Sequence, residues 1–178
     1  MTLNPGISSL LESDHAELDG LLHSTMAAIQ RADVVRTFEH LDLFWARLAM
    51  HIRAEHRYLF PAVRDVAERS PGALGEIPEI LETLRHDHHF FMRELARAVK
   101  AMRLVFHFGN EKETLSVVRE LLEAVNARLE VHNRIEEGSI YTLTAGESFD
   151  AAATEQMLGS IKKELDNYPQ RFAGRRSA

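Results

Sequence analysis

Four long segments of the chain carry apolar residues at the three- and four-residue spacing of amphipathic α-helices, and almost nothing alternates with a period of two. The spacing predicts helices over about 8–30, 33–69, 78–108 and 111–144. Long helices joined by short turns pack as an antiparallel up-down bundle. The sequence therefore predicts an all-α fold built on a four-helix bundle.

Local signals mark the ends of these segments. Ser8 or Ser9 is predicted to cap the first helix, and Pro78 suits the first turn of the third. Pro61 lies inside the second helix and is expected to kink it. A shorter amphipathic stretch over about 149–168 predicts an additional C-terminal helix. With 178 residues and 45% hydrophobic content, we expect residues 1–178 to form a single domain, with the bundle over about 8–144.

Two of the predicted helices contain the same pair of polar residues. The stretch "HIRAEHRYLFP" begins at His51 and "HNRIEEGSIY" begins at His132, and a carboxylate follows each histidine by four residues, at Glu55 and Glu136. Positions four apart lie on one face of a helix, roughly 6 Å apart along the axis. Both histidines continue apolar stripes, where charged groups are costly unless they are paired or bind a metal.

The other two long helices each add one histidine after an aspartate, His15 in "SDHAEL" and His88 in "HDHHFF". A single core histidine is more often a packing residue, and a single His-x-x-x-Glu is as often a solvated pair. Duplication on matching stripes instead favours a site for two metals. The predicted ligands, three from each half of the chain, are His15, His51, Glu55, His88, His132 and Glu136.

The remaining histidines do not share this arrangement. His86 and His89 lie on other faces than His88, and His56 follows Glu55 and is expected to point away. The other three are too far along a helix or stand at a helix end: His23, His40 and His107.

Tyr58 follows His51 by seven residues and Glu55 by three, on the predicted ligand stripe. Tyrosine in such a position is most often a core aromatic residue. The alternative is a phenol that hydrogen-bonds a metal-bound oxygen species or ligates a metal directly.

Composition narrows the chemistry. The chain has no cysteine, so any metal must be held by nitrogen and oxygen, which suits iron or manganese, and zinc could also bind. The formal charge is −6 with scattered basic residues, which argues against nucleic-acid binding. No apolar stretch is long enough for a membrane span and no leader-like segment stands out, so we expect a cytoplasmic protein without membrane contact. The sequence identifies no protein partner.

The motifs "DHAEL", "HIRAEHRYLFP", "HDHHFFMREL" and "HNRIEEGSIY" resemble those of the hemerythrin-like family, the HHE cation-binding domains. The resemblance covers about Leu10 to Thr144. It implies two non-haem iron ions, oxo- or hydroxo-bridged, with terminal histidines and with Glu55 and Glu136 bridging.

Two positions depart from the oxygen-carrying members of that family. Those members have a His-x-x-x-His pair on the third helix, whereas Met92 stands four residues after His88. Their fourth helix places its carboxylate five residues after the histidine, which here is Glu137. The set of four histidines and two glutamates is more similar to the iron-centre repair proteins of the same superfamily.

The function expected from this site is the handling of a small diatomic or peroxide ligand, namely O2, NO or H2O2. Sensing, scavenging, iron-centre repair and peroxide decomposition all remain open, so whether the protein is an enzyme is also open. One alternative is a ferritin-like di-iron oxidase, although its Glu-x-x-His pairs are not repeated here. The other is a metal-free helical interaction domain.

Overall fold

The computed structural model describes residues 6–145 and 149–169, and within these ranges every regular element is helical. Two of the long helices run into short π-helical turns. The elements in chain order are α1 (Ile7–Gln30), α2 (Val34–Ala54), a π turn (Glu55–Leu59), α3 (Phe60–Arg69), α4 (Pro71–Leu74), α5 (Ile77–Phe108), α6 (Glu111–Ile135), a second π turn (Glu136–Ile140), a 3-10 turn (Tyr141–Ala145) and α7 (Ala151–Leu165).

The long helices form a closed ring of neighbours. Helix α1 packs on α2, α2 on α5, α5 on α6, and α6 on α1. Short connections make consecutive long helices antiparallel. This arrangement confirms the predicted all-α bundle, and α7, which packs on α1 and α2, is the predicted C-terminal helix.

The helix boundaries differ from the prediction in three places. Helix α1 begins at Ile7, after Gly6, and neither Ser8 nor Ser9 caps it; the Ser8 hydroxyl instead donates a hydrogen bond to the carbonyl oxygen of Tyr141 at 2.7 Å. The C-terminal helix is shorter than predicted, because it ends at Leu165. Ahead of Pro61 the α-helical hydrogen-bond pattern gives way to a π turn.

The turn between α5 and α6 depends on an unusual backbone conformation. Gly109 has a φ of 74° and Asn110 a φ of 58°. Glycine adopts this left-handed region without steric cost, and asparagine is among the residues that tolerate it best. The chain can therefore reverse within two residues and bring α6 back along α5.

Two apolar clusters fill the bundle, one on each side of a polar layer. The upper core, on the side of the α1–α2 and α5–α6 turns, contains Leu18, Leu22, Ile29, Leu41, Phe44, Leu48, Ile52, Phe91, Leu95, Ala98, Val99, Met102, Leu115, Val118, Leu122, Val125 and Leu129. The lower core contains Ile7, Leu11, Ala54, Leu59, Phe60, Val63, Ala67, Ile77, Leu81, Leu84, Ile140, Tyr141, Ile161 and Leu165. Within the described ranges, none of the helices has the length and apolar character needed to cross a bilayer.

Replacing Phe44 by alanine tests how much the upper core contributes to stability. Phe44 is 0% exposed, so the substitution leaves a cavity and should lower the free energy of unfolding by about 3–5 kcal/mol. Urea titration followed by circular dichroism measures the change.

The matched control is Phe108→Ala. Phe108 is 74% exposed, and we expect a change within about 0.5 kcal/mol. Equal losses for the two variants would contradict the assignment of the core.

Candidate metal centre

All six predicted ligands lie together in the polar layer between the two cores. Each is at most 4% exposed. On α1, α2 and α5 the predicted ligand histidine lies between an upper-core and a lower-core residue, and on α6 it lies between Leu129 of the upper core and Ile135, which packs against the lower core. The helical periodicity of the apolar stripes therefore sets the position of the layer.

The four histidines form two pairs, one from each half of the chain. His15 Nε2 lies 3.1 Å from His51 Nε2. His88 Nε2 lies 3.0 Å from His132 Nε2. We call these the first and the second histidine pair.

The two glutamates span both pairs. Glu55 Oε1 lies 3.3 Å from Nε2 of His51, and its Oε2 lies 3.3 Å from Nε2 of His88. Glu136 behaves in the same way: Oε2 is 3.4 Å from Nε2 of His15, and Oε1 is 3.1 Å from Nε2 of His132. Each carboxylate therefore directs one oxygen towards each pair.

Aspartates hold the outer nitrogens of two ligand histidines. Asp14 Oδ2 accepts a hydrogen bond from His51 Nδ1 at 2.9 Å, and Arg47 binds the other oxygen of the same carboxylate. Asp87 and Arg128 repeat this arrangement around His132, with an Nδ1 to Oδ2 distance of 3.1 Å. Such carboxylate–histidine contacts orient the ring and make its inner nitrogen more basic.

The outer nitrogens of the other two histidines have different partners in the two halves. Nδ1 of His15 lies 2.9 Å from Oε1 of Glu137. Nδ1 of His88 lies 2.9 Å from Nε2 of His56. Glu137 and His56 each directly follow a bridging glutamate, so these two positions correspond in the internal repeat.

These outer contacts determine which way the inner nitrogens can bond. Because an ionised carboxylate can only accept, Nδ1 of His15, His51 and His132 carries the hydrogen, and the neutral ring then presents a lone pair at Nε2. In the first pair the Nε2 atoms of two neutral rings would present their lone pairs to each other at 3.1 Å. Moreover, Glu55 Oε2 and Glu136 Oε1 are buried and, among the residues that the structure describes, have only the imidazoles of the second pair close to them. Cations between these atoms would satisfy all of them, so the donor set fits two metal ions.

In the metal-free site the histidines and the glutamates stabilise each other's charged forms. Burial disfavours ionisation of His51, but the Glu55 carboxylate and the hydrogen bond to Asp14 outweigh it and raise the pKa of His51 well above its usual value. Burial likewise opposes the ionised form of Glu55, but His51 and His88 hold the pKa of Glu55 well below its usual value.

The second half shows the same directions. Burial opposes the charged form of His132, but the Glu136 carboxylate outweighs this effect and raises the pKa of His132. For Glu136, burial and the nearby Glu55 charge are outweighed by His132, which lowers the pKa of Glu136. In the absence of metal, protons on these imidazoles take the place of the cations.

Tyr141 also lies at the site, although it was not predicted from the sequence. Its hydroxyl donates to Glu55 Oε1 at 2.7 Å and lies 3.1 Å from His15 Nε2. Burial, together with the Glu136 and Glu55 carboxylates, raises the pKa of the Tyr141 phenol well above its usual value. A signal was present in the sequence, because an aromatic residue follows each bridging glutamate by five positions: Phe60 after Glu55, and Tyr141 after Glu136.

The π turns explain why this signal was overlooked. The amide of Phe60 donates to the carbonyl of Glu55, and the amide of Tyr141 donates to that of Glu136, both across five residues. In an α-helix a five-residue step turns about 140° away from the starting face. In a π turn the hydrogen bond itself joins residues five apart, so the same step amounts to about one turn. Each aromatic side chain therefore returns to the face of its glutamate.

Tyr58 packs as a core aromatic residue, the more frequent of the two roles considered for it, and does not reach the predicted ligands. It packs against the lower core with the Arg57 guanidinium 5.6 Å from its ring centre, and within the described residues no hydrogen bond joins it to the six side chains. The expected stripe position assumed uninterrupted α-helix across Glu55–Leu59, where the structure has a π turn.

His56 also differs from expectation, because it points towards the site region and contacts His88. The residue that follows an inward-facing residue lies about 100° further around the helix, where it can contact a neighbouring helix. For His56 that neighbour is α5, which carries His88. Burial and the nearby His88 lower the pKa of His56 to about 4. Of the other histidines, His23, His86, His89 and His107 are exposed and His40 is partly buried.

The family comparison agrees with this geometry. A buried set of histidines and glutamates in a helical bundle indicates a metal-binding protein. The sequence matches the hemerythrin HHE cation-binding domain over residues 6–144, and the chain belongs to that family. Comparison with curated proteins and with solved structures gives no significant match. Helix α7 lies beyond the matched region. Its Glu164 forms ion pairs with Arg53 at 3.0 Å and with Arg57 at 3.2 Å, the residues two positions before and two positions after Glu55.

Metal binding should release protons from the site. The pKa values of His51 and His132 are raised in the metal-free protein, so both rings hold a proton below those values and must lose it to ligate. Below both pKa values these two histidines should release up to two protons per chain on loading, and metal affinity should rise with pH. A pH indicator in weakly buffered solution measures the release.

A His89→Ala variant serves as the control and should release the same number of protons. Absence of proton release from the wild type on full loading would show that both rings are neutral before the metal binds.

Replacing Asp14 by asparagine should weaken metal binding by about 10- to 100-fold, because His51 loses the carboxylate that orients it. Competition with a chelator of known affinity measures the change. Asp65→Asn, an equivalent substitution at an exposed position on α3, should leave the affinity unchanged. Unaltered affinity in Asp14→Asn would contradict the role given to this aspartate.

Proposed function

We propose that the chain is a cytoplasmic non-haem di-iron protein that reacts with a small diatomic or peroxide molecule, O2, NO or H2O2. Sensing, scavenging and iron-centre repair are the roles that such a reaction serves. The observation that carries the proposal is the pair of buried carboxylates, each of which directs one oxygen towards each histidine pair.

The donor types favour iron. Imidazole nitrogen and carboxylate oxygen both suit iron, and a chain without cysteine offers no thiolate. Manganese and zinc are compatible with the same donors, so metal analysis is part of the test. When iron is bound, it supplies the exchange of electrons with the small molecule.

The surroundings of the site limit what can reach it. All six ligands are almost fully buried, and the layer is bordered by the upper-core side chains Leu18, Leu48 and Leu129. A large or charged substrate would have to displace packed apolar groups, which costs several kcal/mol. A small uncharged molecule passes through a packed interior far more readily. This supports a diatomic molecule or hydrogen peroxide as the reactant.

The alternatives account less well for the geometry. A ferritin-like oxidase uses more carboxylates and pairs them as Glu-x-x-His, whereas this layer has four imidazoles and two glutamates. A metal-free interaction domain gives no reason for burying four histidines and two glutamates together in the middle of the bundle.

The test combines metal analysis with reactivity. After iron-replete expression, the wild type should contain about two irons per chain. The anaerobically reduced protein should be oxidised by air without reversing when oxygen is removed, and NO or H2O2 should also change its absorption. His51→Ala and His132→Ala should each lose at least one iron and this reactivity.

His89→Ala is the matched control, since His89 is exposed and follows a predicted ligand directly. It should keep both irons. Full iron content in His51→Ala or His132→Ala, or no iron in the wild type, would contradict the proposal, and an oxygen spectrum that reverses over repeated cycles would show a carrier instead.

A further inference from the structure

The Tyr141 hydroxyl is surrounded by ligand atoms of the first histidine pair. It lies 3.1 Å from Nε2 of His15 and 3.5 Å from Nε2 of His51. It also lies 2.7 Å from Glu55 Oε1 and 3.3 Å from Glu136 Oε2. These are the oxygens that the two glutamates direct towards the first pair.

The internal repeat places a different side chain beside the second pair. Phe60 follows Glu55 by five residues, as Tyr141 follows Glu136, and its ring stacks on His88 with centroids 5.8 Å apart and planes at 10°. At this position of the repeat the two halves therefore differ by a hydroxyl group, which is present beside His15 and His51 and absent beside His88.

One hydrogen bond accounts for only one of the four contacts of this hydroxyl. A phenol has one hydrogen to donate, and the 2.7 Å contact to Glu55 Oε1 is the shortest of the four. The other three contacts place the phenol oxygen within 3.5 Å of Nε2 of His15, Nε2 of His51 and Oε2 of Glu136. His15, His51, Glu55 and Glu136 also offer ligand atoms that lie within 4.8 Å of one another. The phenol oxygen is therefore placed as a fifth donor to a cation held among these atoms.

We propose that Tyr141 is a fifth protein ligand to one metal only, the metal held by His15 and His51. This inference rests on the proposed di-iron function. When the metal binds, an oxygen–metal bond forms, the phenolic O–H bond breaks and its proton passes to solvent, with no change in oxidation state. The metal held by His88 and His132 has one protein donor fewer, so the small molecule binds there, beside Phe60.

This assignment also affects the redox behaviour of the site. A phenolate is an anionic oxygen donor and stabilises ferric iron more than ferrous iron. The metal held by His15 and His51 should therefore favour the oxidised state, and we expect oxidation by air to be irreversible for this reason too.

The test is spectroscopic and does not depend on activity. The ferric wild type should show a visible phenolate-to-iron charge-transfer band, and excitation in that band should enhance tyrosine ring vibrations in resonance Raman spectra. Tyr141→Phe should retain two irons and lose the band. Tyr58→Phe removes a hydroxyl from a tyrosine at the edge of the lower core and should retain both the irons and the band.

The outcomes separate this inference from the proposed function. A wild type with two irons and no such band, or a band that survives in Tyr141→Phe, would overturn the assignment and leave the di-iron proposal standing. A wild type without iron would refute the proposed function itself. If Tyr141→Phe does not fold, ring-deuterated tyrosine in the wild type decides, because the enhanced vibrations must shift if a tyrosinate binds iron.

Discussion

Four imidazoles and two carboxylates share one layer in the middle of an apolar bundle, and the mutual satisfaction of these six groups is the constraint on which the rest of the structure depends. Isolated charges at such depth would cost several kcal/mol each. Here each carboxylate lies close to nitrogens from both halves of the chain, and protons or metal ions balance the charge. The outer aspartates and arginines extend this compensation to the bundle surface, so the polar layer is continuous from solvent to centre.

The two π turns connect backbone geometry to this chemistry. Each begins at a bridging glutamate and ends just before an aromatic residue. Because a π turn has more residues than an α-helical turn, it brings the side chain five positions later back to the ligand face. The turns are thus the reason why Phe60 and Tyr141 close the lower side of the layer. They also interrupt two helices that are otherwise regular, and such interruptions are frequent at functional sites.

Much of this could be predicted from the sequence, for physical reasons that differ from residue to residue. The long apolar stripes determine the helices, and the same period places His51 and His132 on inward faces, so the bundle and the convergence of six side chains follow from one regularity. The π turns could not be predicted from the apolar stripes, because the α-helical spacing assumes that every residue turns the helix by the same angle. That assumption placed Tyr58 on the ligand stripe and concealed Tyr141. The prediction that His56 points away was wrong, because its contact lies on a neighbouring helix and periodicity along one helix does not describe such contacts.

The internal repeat places the polar layer between two helical hairpins, α1 with α2 and α5 with α6, and each hairpin alone offers only half of the ligands. Contacts within the layer join residues as far apart as His15 and Tyr141, which are separated by 126 positions. In a chain without cysteine, metal ions shared by side chains across such a distance would act as a removable cross-link. Like a disulfide that closes a long loop, this cross-link would restrict the unfolded chain, whose closure entropy grows with loop length. Unlike a disulfide, it would open when the metal leaves, so the proposed function would make the association of the two hairpins depend on metal supply.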